Sequence, residues 1–575
     1  MSEPTPQDVA EAVRSGQAPS GLVGEEPVPP PPTASAPATD APVTGGGLRV
    51  AVTGGALIAA RDGVLQRAEA DGVAASLAQK DATLWGPGAA AEAGVRLGWL
   101  DAVDKGGVLV PLIVKLRDEL RAEGVDRVVL CGMGGSSLAP EVVCATAGVP
   151  LVVVDTTDPG QVRAALVELE RTVVVVSSKS GGTVETDSHR RAARAAFEAA
   201  GIDPAQRVVV VTDPGSPFET AAREEGSRAV FLADPDVGGR YSALTAFGLV
   251  PAGLAGVDVG ALLDQAAALL PTLSTDDSPA LALGAVLGGG AVAGRDKLVL
   301  PPAEGLVGFG DWVEQLVAES TGKQGRGLLP VVVESVDAPG TEPAADSQLV
   351  VVGTSAPSLP DVGTAVTGPL GAQFLAWEYA TAIVGWSMAI NPFDQPNVQE
   401  SKDNTGAILS GEPSPAREPL FVESGVEVHG TGDLLASVDT LAGALDALLA
   451  AVPERGYLAV MAYLDRQADA DALGLRAALA ARLAHPVTFG WAPRFLHSTG
   501  QFHKGGPQTG SFLQVTGAVT EDLEVPGRDF TFGGLQAAQA LGDLRALSSR
   551  DRPVLTLHLT DRAAGLRALL EAARR

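Results

Sequence analysis

From about residue 103 onward, short runs of β-branched apolar residues alternate with Ala- and Leu-rich stretches of helical composition. The early runs are DRVVLCGMGG, VPLVVVDTTDP, TVVVVSSKSGG, RVVVVTDPG and RAVFLADP, and a later series contains DKLVLPP, SQLVVVG, GYLAVMAYL and HPVTFGW. Uninterrupted β-branched runs are typical of strands buried on both faces. Strands separated by helical segments predict βαβ units and a parallel sheet covered by helices. The pattern therefore predicts an α/β protein with two such domains that divide near residues 265–280.

At 575 residues the chain is long enough for two or more domains, each with its own core. Residues 1–46 are rich in Pro and Ala and contain almost no large apolar residues, so we expect a disordered leader there. We assign residues 47–270 to N-terminal helices and the first domain. Residues 271–575 are assigned to the second domain with a C-terminal extension.

The chain is strongly acidic, with 41 Lys and Arg against 69 Asp and Glu and a formal charge of -28. Nucleic-acid binding depends on basic residues that neutralise phosphates, so this balance argues against a nucleic-acid partner. A small anionic substrate is not excluded, because it needs only one local pocket of hydrogen-bond donors.

Two cysteines, Cys131 and Cys144, cannot form a disulfide framework or a four-thiolate metal site. No run approaches the ~20 charge-free apolar residues of a membrane span, and the start of the chain lacks the basic and apolar regions of a signal peptide. We therefore expect a cytoplasmic protein that does not bind a membrane.

The valine run at 173–176 ends in a cluster of hydroxyls and glycines, with Ser178, Ser180 and Thr183 before a helix expected to begin near Val184. Ligands of open parallel sheets bind beyond the carboxyl ends of the strands. Free N–H groups at a helix start, supplemented by hydroxyls, form an anion site without much basic charge. The alternative is that these side chains only cap the helix.

A similar loop, CGMGGSSLAP, follows the first strand run, where Gly134 and Gly135 allow a close approach of the backbone. Two such loops on one sheet favour a phosphate site over simple capping. The first loop lacks the Lys-Ser/Thr of a P-loop and the third glycine of a dinucleotide fingerprint. We therefore expect no nucleotide cofactor.

The segment GDWVEQLVAESTGK places Trp312, Leu316 and Glu319 on one stripe of a helix that Gly322 is expected to end. A carboxylate that continues an apolar stripe is suited to general-base catalysis, because desolvation raises its pKa toward neutrality. The alternative is an ordinary exposed glutamate at a helix end, for which Glu314 is the natural comparison.

Five motifs together resemble the glucose-6-phosphate isomerase family: GMGGSSLAPEV, SSKSGGTVET, VGGRYSALTAFGL, VEQLVAESTGKQGRG and INPFDQPNVQESK. The resemblance covers roughly residues 100 to 515. It implies two sugar-isomerase (SIS) domains, each a flavodoxin-like parallel sheet flanked by helices. The segments QKDATLWGPGA and LHSTGQFHKGGP are most similar to the isomerase half of transaldolase–isomerase fusion proteins, but we expect no transaldolase activity.

The resemblance also implies a set of substrate-binding residues. Gly135 and Ser136 would contact the sugar side of the substrate, and Gln395 of the FDQ motif would bind substrate as well. The phosphate would be held by the loop containing Ser178, Lys179, Ser180 and Thr183.

For catalysis, the resemblance implies that Glu319 is the general base and that Arg240 stabilises negative charge in the intermediate. Lys402 would assist at the ring oxygen. In most of the family a Gly-Gln-His motif lies between the base and the FDQ segment, whereas here the closest match, STGQFHKGG, comes about a hundred positions after Lys402. We assign ring opening to His503 of this motif, with His497 as the alternative.

The implied function is reversible isomerisation of glucose 6-phosphate and fructose 6-phosphate through an enediol. This chemistry needs a base, a cation for the enediolate and an acid/base pair for ring opening, but no cofactor or metal. The alternatives are an isomerase that also accepts mannose 6-phosphate and a SIS-type sugar-phosphate sensor without catalysis. The expected partners are a small sugar phosphate and, by resemblance, a second copy of the chain in a homodimer.

Overall fold

The structure is a computed structural model that describes residues 40–342, 344–355, 361–411 and 418–575, apart from the side chains of Val398, Gln399 and Ser401. Most of the expected leader, residues 1–39, lies outside the described residues. Its end belongs to the fold, because Val43–Gly45 forms strand β1 and pairs antiparallel with strand β2, Leu48–Thr53. Gly46 and Gly47 close this hairpin with φ values of 56° and 80°.

A five-stranded parallel sheet follows, with the strand order β4-β3-β5-β6-β7. Its strands are β3 (Arg127–Cys131), β4 (Val152–Val154), β5 (Thr172–Ser177), β6 (Val208–Thr212) and β7 (Ala229–Leu232). Every residue of β5 and β6 is buried, as the valine runs predicted. The chain order reverses between β3 and β5, and a ligand crevice is expected beyond the carboxyl ends of strands at such a reversal.

The second sheet has six strands in the order β1-β2-β11-β10-β8-β9. Its later strands, which are parallel to one another, are β8 (Lys297–Leu300), β9 (Leu329–Val332), β10 (Ser347–Gly353) and β11 (Gly363–Thr367). Strand β2 pairs antiparallel with β11. The N-terminal segment therefore contributes a strand to the second sheet, where the sequence indicated only helix.

A third sheet, formed by the C-terminal part of the chain, has the order β12-β13-β17-β16-β14-β15. Its strands are β12 (Phe421–Glu423), β13 (Val426–Gly430), β14 (Tyr457–Tyr463), β15 (Val487–Trp491), β16 (Gly510–Gly517) and β17 (Val554–Leu559). The predicted α/β class, with parallel sheets flanked by helices, is confirmed. The later strand runs are divided between two sheets. The sequence did not predict this division, because strand periodicity specifies which face a residue points to but not which strands pair.

Helices cover these sheets and connect their strands. Before β8 they are α1 (Gly55–Ala70), α2 (Val73–Ala78), α3 (Ala90–Ala93), α4 (Ala102–Ala122), α5 (Leu138–Thr146), α6 (Pro159–Ala165), α7 (Val184–Ala199), α8 (Pro217–Glu224), α9 (Ala246–Ala255), α10 (Val259–Ala267) and α11 (Pro279–Val292). The remaining helices are α12 (Phe309–Thr321), α13 (Leu370–Ser387), α14 (Val398–Leu409), α15 (Leu441–Ala450), α16 (Gly474–Ala480), α17 (Gly500–Gly505), α18 (Phe532–Ser548) and α19 (Arg562–Ala573).

One apolar core joins the first two sheets, and within it α11 and α13 pack against each other with nearly every residue buried. A separate core lies between one face of the third sheet and helices α15, α16 and α19. All described residues belong to one compact unit. None of the described helices combines the length and the apolar character needed to cross a bilayer.

Candidate active site

Helix α12 carries Glu319 in its last turn. Trp312 and Leu316 are buried on the predicted stripe, and the Glu319 side chain, 12% exposed, continues it. The helix ends at Thr321 with Gly322 as its C-cap, as predicted. A Cβ on Gly322 would lie 2.4 Å from Phe502 Cα, so this glycine allows α12 to end against helix α17.

Arg240 lies beside Glu319 and is held on every side. Its Nη1 is 3.2 Å from Glu319 Oε1 and donates to Gln395 Oε1 at 2.7 Å. Its Nε donates to Ser320 Oγ at 2.7 Å, and its Nη2 donates to the Pro392 carbonyl at 2.7 Å. The structure thus brings together the predicted base, the predicted cation and the predicted glutamine, with Arg240 3% exposed and its guanidinium fixed in direction.

Lys323, which the sequence did not single out, fixes the FDQ segment from the other side. Its Nζ donates to the Asn391 carbonyl at 2.8 Å and forms an ion pair of 2.6 Å with Asp394. Burial and the nearby charge of Arg240 lower the pKa of Lys323 to about 8. The FDQ segment is therefore anchored by two buried cations.

The glycine loop after β3 approaches the same place. A Cβ on Gly135 would lie 1.9 Å from the Gly239 carbonyl oxygen, so only glycine allows this loop to touch the segment that carries Arg240. Gly134 has a φ of 53°, and a Cβ there would lie 2.6 Å from Gln315 Nε2. Ser136 is half-buried at the end of the same short 3₁₀ turn.

Gln315, one turn before the predicted base, links it to the C-terminal part of the chain. Its Nε2 donates to Glu319 Oε2 at 3.1 Å and to the His497 carbonyl at 2.7 Å. Glu319 therefore has a fixed donor on one carboxylate oxygen and Arg240 on the other. The i, i+4 spacing to Glu319 was the only sequence signal for this glutamine.

The serine loop after β5 leads into α7, as predicted. The Oγ atoms of Ser178 and Ser180 accept hydrogen bonds from the N–H groups of Gly181 and Gly182 at 3.1 and 3.2 Å. Thr183 is the N-cap residue of α7, but its side chain accepts no capping hydrogen bond. Simple helix capping therefore does not account for this hydroxyl.

Lys179 of the same loop points to neighbouring loops. Its Nζ forms an ion pair of 2.9 Å with Asp213 and donates to the Val237 carbonyl at 2.6 Å. These contacts brace the serine loop against the loops after β6 and β7. The ammonium group is thus already engaged, which the sequence did not indicate.

His497 enters the site from a 3₁₀ helix after β15, Arg494–His497. Its Nε2 lies 3.0 Å from Glu185 Oε1, which also accepts a 2.7 Å hydrogen bond from Gln539 of α18. Burial raises the pKa of Glu185, but the charge and hydrogen bond of His497 outweigh it and lower the pKa to about 2. Sequence reasoning missed Glu185, although it lies only two residues after Thr183, and it missed Gln539.

A cavity of about 190 Å³ lies between these groups, and its lining includes Thr183, Glu185, Lys402, His497 and Gln539. Lys402 extends from α14 with an exposed side chain. The cavity thus has a hydroxyl, an ammonium group and an imidazole–carboxylate pair beyond the carboxyl end of β5.

His503, the first choice for ring opening, lies elsewhere. It is 3% exposed, its Nδ1 is 2.9 Å from the Tyr457 hydroxyl, and its ring packs against Tyr457, Phe495 and Phe512. Burial and the charges of Lys504 and Arg552 hold its pKa well below 6.5. The structure brings the alternative, His497, to the cavity and does not bring His503 there.

Within the part of the chain that the structure describes, no group of three or more His, Cys, Asp or Glu side chains is placed to hold a metal ion.

The family model for phosphoglucose isomerase matches residues 120–333. A probable glucose-6-phosphate isomerase of Haloarcula marismortui is 40% identical over 215 residues, which cover 36% of this chain and 49% of the relative. A glucose-6-phosphate isomerase of Rippkaea orientalis is 37% identical over 217 residues, 35% of this chain and 41% of the relative. The chain spans less than half the length of these curated relatives.

Two solved structures share the fold. A hypothetical protein from Thermus thermophilus aligns with a TM-score of 0.52 and 24% identity over 62% of this chain and 98% of its own. A glucose-6-phosphate isomerase from Chlamydia trachomatis aligns with a TM-score of 0.51 and 19% identity over 64% of this chain and 89% of its own. At these identities the likeness shows the fold alone.

Proposed function

Because residues 120–333 match the phosphoglucose isomerase family, we propose that this chain is a glucose-6-phosphate isomerase. It would interconvert glucose 6-phosphate and fructose 6-phosphate by proton transfer between C2 and C1 through an enediol. The observation that carries the proposal is the contact of Glu319 with Arg240 and, through Gln315, with the backbone of His497. A base, a cation and an imidazole are the groups that this reaction requires.

The phosphate is bound by the serine loop, with Ser178, Ser180 and Thr183 as ligands at the start of α7. The positive end of the helix dipole and the free N–H groups there favour an anion. Lys179 contributes by bracing the loop through Asp213, since its ammonium group is held by that carboxylate. Gly135 and Ser136 face the sugar from the neighbouring strand end.

Glu319 accepts the C2 proton of the open-chain aldose and returns it to C1. Arg240 stabilises the enediolate oxygen. Four hydrogen-bond partners already fix its guanidinium, so the side chain needs little reorganisation when negative charge develops on the substrate. Gln395 serves as one of those partners and as a substrate contact. The hydrogen bond from Gln315 Nε2 to Glu319 Oε2 fixes the orientation of the Glu319 carboxylate.

Ring opening is assigned to His497, with Lys402 at the ring oxygen. The contact with Glu185 fixes the orientation of the imidazole in the cavity, and an imidazole can serve as both acid and base. His503 is assigned a structural role, because its ring is enclosed by aromatic side chains.

We further propose a cytoplasmic homodimer, on the strength of the family resemblance, and two domains that divide near residues 265–280. His497 contacts Glu185, and its carbonyl accepts from Gln315, which also donates to Glu319. These contacts support a site whose histidine comes from the same chain as its base.

The proposal is tested by a coupled assay of fructose 6-phosphate conversion without added metal or nucleotide. Steady production of glucose 6-phosphate is expected. Binding of fructose 6-phosphate without any conversion would identify a sensor and overturn the proposal. Conversion of mannose 6-phosphate in the same assay would show that the enzyme also accepts this second substrate.

A further inference from the structure

A second, larger cavity lies in the C-terminal part of the chain, between the third sheet and α18. Its volume is about 610 Å³, within the range of small-molecule sites in proteins. It shares no lining residue with the cavity that contains His497. Nothing in the proposed isomerisation uses it.

The sheet wall of this cavity is polar where a buried sheet face is normally apolar. Along β16 and β17, Leu513, Val515, Leu555 and Leu557 pack into the core on one face. The alternating residues Gln514, Thr516, Thr556 and His558 face the opposite way and line the cavity. Thr516 and His558 lie near the carboxyl ends of adjacent parallel strands, the usual place for a ligand in an α/β sheet.

Two hydrogen-bond donors at this cavity have no partner among the described residues. They are the hydroxyl of Tyr463, a residue 1% exposed, and Nε2 of Gln536, a residue 4% exposed. A buried donor without a partner costs free energy, so proteins normally pair or remove it. Burial also keeps the pKa of Tyr463 well above 10, so its hydroxyl remains a donor.

The charges of the lining restrict the ligand. Among the described residues it contains the carboxylates Glu427 and Asp522 but no Lys or Arg. The lining also contains His429, whose Nε2 lies 4.0 Å from Glu427, and His558, whose pKa is lowered by burial. An anion would therefore meet repulsion from both carboxylates, whereas the catalytic cavity contains Lys402. The helix wall, with Ala537, Ala540 and Leu541, offers an apolar surface opposite the polar sheet.

We propose that this cavity binds an uncharged saccharide of one or two rings, with hydroxyl oxygens accepting from Tyr463 and Gln536 and a C–H face against α18. A sugar phosphate is excluded from it by the two carboxylates. The site is separate from the proposed isomerase site, so its occupancy does not depend on turnover.

Binding is tested on the full chain by saturation-transfer NMR with maltose and glucose as probes and glucose 6-phosphate as the charged comparison. We expect saturable binding of the neutral sugars, unaffected by Glu319→Gln and weakened about tenfold by Tyr463→Phe or Gln536→Leu. The proposal would be overturned if the neutral sugars did not bind, or if both variants bound them as well as wild type does. It would also be overturned if the Glu319→Gln protein preferred glucose 6-phosphate and lost that binding on Tyr463→Phe.

A stability measurement tests the same donors without any ligand. Tyr463→Phe and Gln536→Leu remove groups that lack partners, so each should raise the melting temperature by about 1–2 °C and leave isomerase turnover unchanged. Tyr379→Phe is the matched control, because its buried hydroxyl donates to the Leu273 carbonyl at 3.0 Å and its loss should lower the melting temperature. A lower melting temperature for all three variants would show that the Tyr463 and Gln536 donors stabilise the fold, and this would overturn the proposal.

Discussion

At the scale of single residues, the two histidines of the STGQFH region have different surroundings and should have different roles. His497 contacts Glu185 in the cavity, whereas His503 contacts Tyr457 within an aromatic cluster. His497→Ala should slow conversion of ring-form glucose 6-phosphate about 10²-fold or more, the usual effect of losing a general acid–base group. It should spare proton exchange on an aldotetrose 4-phosphate, in which the phosphate blocks ring closure.

His503→Gln is the matched control for that prediction. It should lower the melting temperature, because it disturbs a buried aromatic cluster, and leave the ratio of the two rates unchanged. Equal losses on both substrates for His497→Ala would contradict the assignment, as would a selective ring-form loss for His503→Gln.

The buried Glu185 gives a pH dependence whose sign follows from its pKa. The folded value of about 2 lies below the ordinary value of 4.5, so its stabilisation is present above pH 4.5 and is lost as the pH falls toward 2. The shift corresponds to about 3 kcal/mol. Urea unfolding of wild type and Glu185→Gln should therefore differ most near pH 6 and converge as the pH falls to about 2. A difference that is constant with pH would contradict this.

At the scale of elements, the short helix Arg494–His497 is clamped to the first sheet. Arg494 forms an ion pair of 2.7 Å with Asp155, which is 2% exposed, and a close ion pair with Glu141. Asp155 also accepts a hydrogen bond from Ser137 at 3.3 Å, at the end of the glycine loop. The buried carboxylate of Asp155 thus holds both the glycine loop and the short helix that carries His497.

Arg494→Met should leave Asp155 buried without its partner and destabilise the protein by about 3–5 kcal/mol. Because the helix loses its clamp, kcat for ring-form substrate should fall more than KM changes. Arg482→Met, which breaks the more exposed ion pair with Asp446, should cost less than about 1 kcal/mol. Equal unfolding free energies for these two variants would contradict the clamp.

The elements that sequence could predict are those with a local cause. The valine runs of β5 and β6, the serine loop before α7 and the end of α12 at Gly322 all follow from periodicity, capping and backbone preference. The partners of Lys179 could not be predicted, because Asp213 and Val237 approach it only once three strands have paired in register.

At the scale of the whole molecule, the site joins parts of the chain that are far apart in sequence. Glu185 of α7 contacts His497 and Gln539, which are more than 300 positions later. No local pattern specifies such a contact. Sequence motifs therefore predicted roles for the serine loop and Glu319 but did not decide between His503 and His497. The third sheet went unrecognised for the same reason, since strand pairing is a long-range property.

The placement of His497 predicts that each chain holds a complete site. A mixture of Glu319→Gln and His497→Ala, refolded together, should regain no activity above the sum of the two variants. If the histidine came from the second copy, about half of the dimers would be mixed, and each mixed dimer would have one of its two sites restored. About a quarter of wild-type activity would then be recovered. Such recovery would show that the histidine comes from a second copy and would contradict the assignment.

The most direct test of the central claim is proton exchange at C2 in D₂O, followed by NMR for wild type, Glu319→Gln and Glu314→Gln. Glu314 lies on the same helix, and burial raises its pKa to about 8, so glutamine closely mimics its neutral form. We expect wild type and Glu314→Gln to incorporate deuterium into the sugar phosphate and interconvert the isomers, and Glu319→Gln to do neither while still binding substrate. Exchange by Glu319→Gln at the wild-type rate would contradict the assignment of Glu319 as the base.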